Sequence, residues 1–136
     1  MPLSVRASYE EVHRSFEPVA PSARAARCWC EPVLEQWGLA DRRSEAILVL
    51  SELVANAVRH GSGDIDVRLR RTAETVRIEV TDAGSAEGVA ARSPDLSSPT
   101  GRGLAIVEHF VTAWGVRELP EGGKTVWAAL PVETRY

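Results

Sequence analysis

The spacing of apolar positions along the chain predicts three amphipathic helices, each followed within two residues by a glycine. The predicted helices cover about 22–37, 43–59 and 101–114. Pro32 lies inside the first pattern, and because an interior proline costs about 3 kcal/mol, it is expected to kink or split that helix. Asp41 or Ser44 is the expected N-cap of the second helix.

Alternation of apolar and polar residues predicts strands around these helices. The predicted strands cover about 3–9, 65–69, 76–80, 116–119 and 124–130. The short link "RTAE" (71–74) is typical of an antiparallel pair, and "PEGG" (120–123) of a hairpin turn. This order of elements predicts a two-layer α/β sandwich, with helices on one face of a largely antiparallel mixed sheet. Residues 83–100 follow neither pattern, and a stretch of this length is usually a lid or a binding loop.

Composition and charge narrow the class of protein. The chain has 136 residues, of which 44% are hydrophobic, and is expected to form a single domain over 1–136. Its net charge of -3 argues against nucleic acid as the main partner. It has no apolar run long enough to cross a bilayer and no signal sequence, so we expect a cytoplasmic protein. Cys28 and Cys30 lack further zinc ligands and are expected to be free thiols in a reducing compartment.

A polar stripe runs along the second predicted helix. Glu52, Asn56 and His60 recur every four positions in "SELVANAVRHG" (51–61) and therefore share one face. A solvated helix face explains such a stripe without any chemistry. In the functional alternative, Asn56 offers Mg²⁺ a carbonyl oxygen, and Glu52 deprotonates a nucleophile near the metal. His60 would then contact phosphate, or it would act only as a favourable cation at the helix end.

A carboxylate and a glycine follow the strand that ends at Val80. Asp82 and Gly84 are explained by a simple turn, in which the Asp side chain caps its own backbone. In the alternative interpretation, Asp82 accepts a hydrogen bond from the exocyclic amine of adenine, and Gly84 lets the base approach. Such a contact rejects guanine, which has an acceptor at the same place.

Two further glycine-rich segments suggest phosphate binding. Gly101 and Gly103 flank Arg102 at the start of the third predicted helix, where free N–H groups and a cation favour an anion. A glycine-rich hinge explains the same residues. The segment "GGKT" (122–125) is not a P-loop, because Glu118 stands where the first glycine of that motif is required. Thr125 is nevertheless able to place a hydroxyl at the end of the sheet.

In this order, the segments resemble the histidine-kinase-like ATPases, a superfamily that includes DNA gyrase and sensor kinases and whose ATP-binding domain is called the Bergerat fold. "ELVANAVRHG" looks like the N box of these proteins, and "DAG" looks like their first glycine box. "GRGLAIV" looks like the second glycine box, and "GGKTVWAALP" resembles the last strand. The resemblance covers about 43–131. The sequence shows no upstream helical hairpin with a phosphoacceptor histidine. It therefore resembles the bacterial anti-sigma factor serine kinases, in the version found in actinobacteria.

The resemblance implies that the cofactors are ATP and Mg²⁺. It implies that Asn56 holds Mg²⁺ and that Glu52 is the general base. It also implies that Asp82 binds the adenine amine, with Gly84 beneath the base and Thr125 nearby. The residues expected to close on the phosphates are Gly101, Arg102, Gly103 and Leu104, with 85–100 as a lid.

The same resemblance implies partners. Proteins of this kind usually form homodimers, bind a sigma factor, and phosphorylate a serine of an anti-anti-sigma factor. No direct contact with nucleic acid or a membrane is expected. The alternative is a nucleotide-gated regulatory binding protein of the same fold that transfers no phosphate. This alternative is suggested by the unusual lid: Ser85 stands where many relatives have a second glycine in the first glycine box, and the lid is rich in Ala, Ser and Pro.

Overall fold

The computed structural model describes residues 10–39, 42–86 and 107–132. These residues form two long helices, five strands and a short helical segment at 107–110. In chain order, the strands and long helices are β1 (Glu10–Phe16), α1 (Ser22–Gln36), α2 (Arg43–His60), β2 (Ile65–Arg71), β3 (Thr75–Asp82), β4 (Ala113–Glu118) and β5 (Lys124–Pro131).

The strands form one sheet in the order β1-β2-β3-β5-β4, and each of its pairings is antiparallel. The helices pack on this sheet, so the predicted α/β architecture is confirmed. The register of β3 and β5 places Thr81 opposite Thr125, and Asp82 opposite Lys124. Because successive side chains of a strand point to opposite faces, these two cross-strand pairs lie on different sides of the sheet.

The hydrophobic core lies between the helices and one face of the sheet. That face is formed by alternate residues of the three inner strands, all of them buried: Val67, Leu69, Val76, Ile78, Val80, Val126, Ala128 and Leu130. Helix α2 covers it with Leu50, Leu53, Val54 and Ala57. Asp82 and Lys124 continue the same alternation at the strand ends, so a buried carboxylate and a buried ammonium lie at the edge of an apolar core.

Helix α1 continues through Pro32, so the expected split of this helix does not occur. The buried residues Ala26, Cys30 and Leu34 lie on both sides of the proline and anchor both halves of the helix in the core. Most helical stability in proteins comes from packing of an apolar face, and here that packing outweighs the missing backbone hydrogen bond.

The ends of helix α2 agree only in part with the prediction. Gly61 follows the last turn, and its N–H donates to the Ala57 carbonyl at 2.8 Å. At the other end, Arg42 is the N-cap and has no capping side chain, whereas Ser44 lies inside the helix. The Arg42 guanidinium instead bonds the Glu45 carboxylate at 2.7 Å. The other candidate cap, position 41, lies outside the described residues.

The third predicted helix ends earlier than its apolar pattern indicates. Residues 107–110 are helical, but β4 begins at Ala113, so a helix reaching 114 is wrong. The Thr112 N–H donates to the Ala129 carbonyl at 2.9 Å, and this bond leads directly into the ladder with β5. Gly115 is not a helix stop but a strand residue, and a Cβ on it would come within 3.1 Å of the Trp127 ring.

Two predicted segments lie partly or wholly outside the described residues. The strand expected at 3–9 lies before residue 10, where the described residues begin. The first described strand is β1, at 10–16. Within the expected lid, only 85 and 86 are described. Among the described helices, none combines the length and the apolar character that crossing a membrane requires.

Candidate nucleotide-binding site

The polar stripe of helix α2 lies at the border between core and solvent. Glu52, Asn56 and His60 are each partly buried, whereas the neighbouring Leu53 and Ala57 belong to the core. Within the described ranges, the side chains of Glu52 and Asn56 make no hydrogen bond to another residue. A half-buried carboxylate and a half-buried carboxamide, one helical turn apart, are therefore present on one face.

Asp82, at the end of β3, is held by three hydrogen-bond donors. Its Oδ1 accepts from the Gly84 N–H at 2.6 Å and from the Ser62 N–H at 3.3 Å. The Lys124 ammonium donates to Oδ1 at 2.8 Å and to Oδ2 at 2.7 Å. The Gly84 bond is the turn in which Asp caps its own backbone, so the simpler interpretation of this motif applies. The side chains of Asp82 and Lys124 are only 1% and 3% exposed, respectively, so their ion pair is buried.

Three glycines enclose Asp82. A Cβ on Gly61 would lie 2.6 Å from Asp82 Cγ, and a Cβ on Gly84 would lie 2.9 Å from its Oδ1. Gly123, at φ +100°, approaches from the turn between β4 and β5, and a Cβ on it would lie 2.7 Å from the Asp82 carbonyl oxygen. Both contacts to the carboxylate are closer than side chains tolerate, so backbone alone surrounds it at these positions. The contact at Gly61 also brings the end of α2, which carries Asn56, against the end of β3.

Thr125 is not brought together with Asp82. Its Oγ1 lies 2.7 Å from Thr81 Oγ1, and this pair is on the face of the sheet opposite the Asp82 carboxylate. The residue of "GGKT" that reaches Asp82 is Lys124, which is not among the predicted site residues. The available signal was the alternation of the last strand, since Lys124 shares the parity of its buried residues Val126, Ala128 and Leu130.

A cavity of about 210 Å³ lies beside the Asp82 turn. It is lined by residues of the turn and of the β4–β5 hairpin: Gly84, Ser85, Ala86, Glu118, Leu119, Gly122 and Gly123. The hairpin closes with a bond from the Gly122 N–H to the Leu119 carbonyl at 3.0 Å, and β5 starts directly after it. "GGKT" is thus a turn that opens a strand, as its sequence predicts, and not a P-loop.

The predicted phosphate-binding residues Gly101, Arg102, Gly103 and Leu104 lie outside the described residues. Their role therefore stays a prediction from the sequence.

The residues on α2 are suited to Mg²⁺ rather than to a metal ion that is bound only by protein side chains. The described residues contain no group of three or more His, Cys, Asp or Glu side chains placed to hold a metal ion. Mg²⁺ does not require such a group, because it is usually bound by one or two protein oxygens together with phosphates and water. The partly buried Asn56 carboxamide supplies an oxygen of the required kind.

Helix α2 carries a half-buried Glu and a half-buried Asn, and its end contacts the acid that the three glycines enclose. These are features of an ATP-binding domain of the Bergerat type. The sequence matches the histidine kinase-like ATPase domain over residues 16–130, and the chain belongs to this family. It is thus an ATP-binding, kinase-like domain, and the family implies use of ATP and typically of Mg²⁺.

The chain is also similar to part of a longer curated protein. It is 31% identical over 107 residues to the sensor histidine kinase PdtaS of Mycolicibacterium smegmatis (strain ATCC 700084 / mc(2)155). The alignment covers 71% of this chain and 21% of that protein, so the chain spans about one fifth of the length of this relative.

Proposed function

We propose that this protein is an anti-sigma factor and a protein-serine kinase. In this role it binds a sigma factor and transfers the γ-phosphate of ATP to a serine of an anti-anti-sigma factor. The observation that supports a transferase best is Glu52, which lies one turn before Asn56 on the helix that ends against Asp82. A regulator that only binds nucleotide has no need of a carboxylate at that place.

Each residue has a distinct part in the proposed reaction. Asn56 would hold Mg²⁺ through its carboxamide oxygen, and the ion, when bound, neutralises charge on the phosphates. Glu52 would accept the proton of the serine hydroxyl as the serine oxygen attacks the γ-phosphorus. Asp82 would accept a hydrogen bond from the adenine amine, with Gly84 beneath the base, whereas Thr125 lies on the other face of the sheet and has no part in this contact. Gly101, Arg102, Gly103 and Leu104 would close on the phosphates.

The proposed partners are proteins of the cytoplasm. They are a sigma factor, an anti-anti-sigma factor and a second copy of the chain in a homodimer. The net charge of -3 supports contact with proteins rather than with nucleic acid.

A second candidate function is supported by the similarity to a sensor histidine kinase. In that case the domain would transfer phosphate to a histidine of a separate protein. Ser85 supports a third candidate, a nucleotide-gated binding protein that transfers nothing.

One experiment separates these functions. The purified chain is used to capture partners from its native lysate, with and without Mg-ATP. Each captured protein is then incubated with the purified chain and γ-labelled ATP. Serine transfer predicts an acid-stable label on one captured protein, whereas histidine transfer predicts a label that acid removes. Absence of any label, together with ATP-dependent capture, would contradict the kinase proposal and support the binding protein.

A further inference from the structure

The Asp82–Lys124 pair has hydrogen-bonding capacity that the protein does not use. A carboxylate oxygen accepts about two hydrogen bonds, and an ammonium donates three. Oδ1 of Asp82 already receives three donors, but Oδ2 receives only the Lys124 ammonium. Lys124 in turn uses two of its N–H groups on the two oxygens and gives the third to no other described residue. One acceptor position and one donor therefore remain side by side.

The pair stays together when a ligand approaches. Leaving a buried charge without its counterion is strongly destabilising, and a neutral aromatic amine is no substitute for an ammonium. The cross-strand register of β3 and β5 also holds the two residues opposite each other. A ligand that reaches Asp82 thus meets the carboxylate and the ammonium as one unit.

We propose that Lys124 is a base-specificity residue that reads the adenine ring together with Asp82. In this arrangement, the exocyclic amine of adenine donates to Asp82 Oδ2, and the Lys124 ammonium donates to the adjacent ring nitrogen, N1. Guanine has an acceptor in place of the amine and a proton on N1. In the same orientation, its carbonyl oxygen would face the Asp82 carboxylate and its N1–H would face the Lys124 ammonium, so neither hydrogen bond could form. The inference rests on the proposed nucleotide site and assigns a role to a residue that the family resemblance did not include.

The backbone around the pair provides a route for the edge of the base. Gly61 and Gly84 both touch the Asp82 carboxylate and are both partly exposed. Gly61 lies next to Oδ2, which a Cβ on this residue would approach to 2.7 Å, whereas Gly84 lies against Oδ1. The proposed contact therefore requires the backbone at Gly61 to move away from Oδ2.

The test compares ATP with 1-deaza-ATP, which keeps the exocyclic amine but has a C–H in place of N1. In calorimetry, the wild-type chain is expected to bind ATP at least about tenfold more tightly than 1-deaza-ATP. The reason is that 1-deaza-ATP lacks the hydrogen bond to the charged Lys124 ammonium. The K124M variant is expected to bind the two nucleotides equally. The matched control is R117M, which removes an exposed cation on β4 and is expected to keep the preference.

The outcomes are distinct. If K124M binds both nucleotides more weakly but keeps the wild-type preference, Lys124 only supports Asp82 and the inference is wrong. If the wild-type chain binds the two nucleotides equally, the inference is wrong whether or not K124M folds. If the wild-type chain does not bind ATP, the proposed nucleotide site itself is wrong.

Discussion

Asp82 and Lys124 lie directly opposite each other on β3 and β5, and the lysine ammonium is 2.7 Å from the Asp82 carboxylate in a setting almost without solvent. Breaking such a pair from one side leaves an unpaired buried charge, which costs about 3–5 kcal/mol. We therefore expect Lys124→Met to lower the free energy of unfolding by about that amount. Urea denaturation followed by circular dichroism provides the measurement.

A double variant tests the same pair from both sides. Asp82→Asn combined with Lys124→Met removes both charges, and its loss of stability is expected to be smaller than that of Lys124→Met alone. The exposed pair Arg43–Glu35 is the matched control, since breaking a surface pair costs about 0–1 kcal/mol. Equal losses for the buried and the exposed pair would show that burial does not strengthen the Asp82–Lys124 interaction.

Asp82→Asn alone is expected to weaken ATP binding by about 1–3 kcal/mol, because it replaces one acceptor oxygen by an amide donor facing the adenine amine. Isothermal titration calorimetry on the folded variant measures this directly. Asp66→Asn, on β2, is a control that removes a carboxylate elsewhere on the sheet. Unchanged affinity in Asp82→Asn would remove this residue from the adenine site.

Glu52→Ala is expected to keep ATP affinity and to slow phosphate transfer by about 10²- to 10⁴-fold, the usual contribution of a general base. Binding is measured by calorimetry and transfer by the labelled product on the captured partner. Glu45→Ala removes a carboxylate at the other end of α2 and is expected to leave the transfer rate unchanged. Full transfer activity in Glu52→Ala would exclude the general-base role.

Gly61→Ala is expected to abolish or strongly weaken ATP binding, since the added methyl would lie 2.6 Å from both Asp82 Cγ and the Ala57 carbonyl oxygen. Either the end of α2 or the carboxylate must move, and overpacking of this kind typically costs about 1–3 kcal/mol. Gly38→Ala is the control for backbone strain: at φ +74° an alanine is strained there, but its Cβ would meet nothing within 4 Å, so this variant is expected to lose stability and keep ATP binding. ATP binding by Gly61→Ala at wild-type strength would show that the close contact is not required.

The two cysteines are expected to differ in reactivity. Cys28 is exposed, whereas burial of Cys30 raises the pKa of its thiol to about 12. A thiol reagent at pH 8 is therefore expected to modify one cysteine of the native chain rapidly and the second only after unfolding. Rapid modification of both, or of neither, would contradict this difference.

The raised pKa also has a consequence for stability. The unfolded thiol loses its proton near the ordinary value of 9.0, and the folded thiol only near 12. Between these values the folded state binds more protons, so the contribution of Cys30 to stability falls as pH rises. Cys30→Ala should show a shallower decline above pH 9 than Cys28→Ala.

Local sequence patterns correctly predicted the helices and strands that have one apolar face and one polar face. The alternation in 65–69 and 76–80 became β2 and β3, and the apolar stripe of 43–59 became α2. The segment around Val111 and Trp114 was misjudged, because its apolar spacing fits a helix as well as a strand. Pairing of β4 with β5 decided between the two, and local periodicity does not contain that information.

For the candidate site, the sequence indicated polar residues but not the pairing of Asp82 with Lys124. Asp82 and Gly84 were identified from the strand end, and Glu52 and Asn56 from the helical spacing. Lys124 was missed because it is 42 residues from Asp82, and only the antiparallel register of the sheet brings them together. The same register separates Thr125 from Asp82, since neighbouring strand positions point to opposite faces.

The tight junction at Gly61 has a mechanical consequence. Since no space remains between the last turn of α2 and the Asp82 carboxylate, the acid cannot shift without pushing the helix end. In the proposed site, the adenine contact at Asp82 and the Mg²⁺ contact at Asn56 would thereby be coupled through Gly61, so that a proposed partner protein displacing either one would also weaken the other.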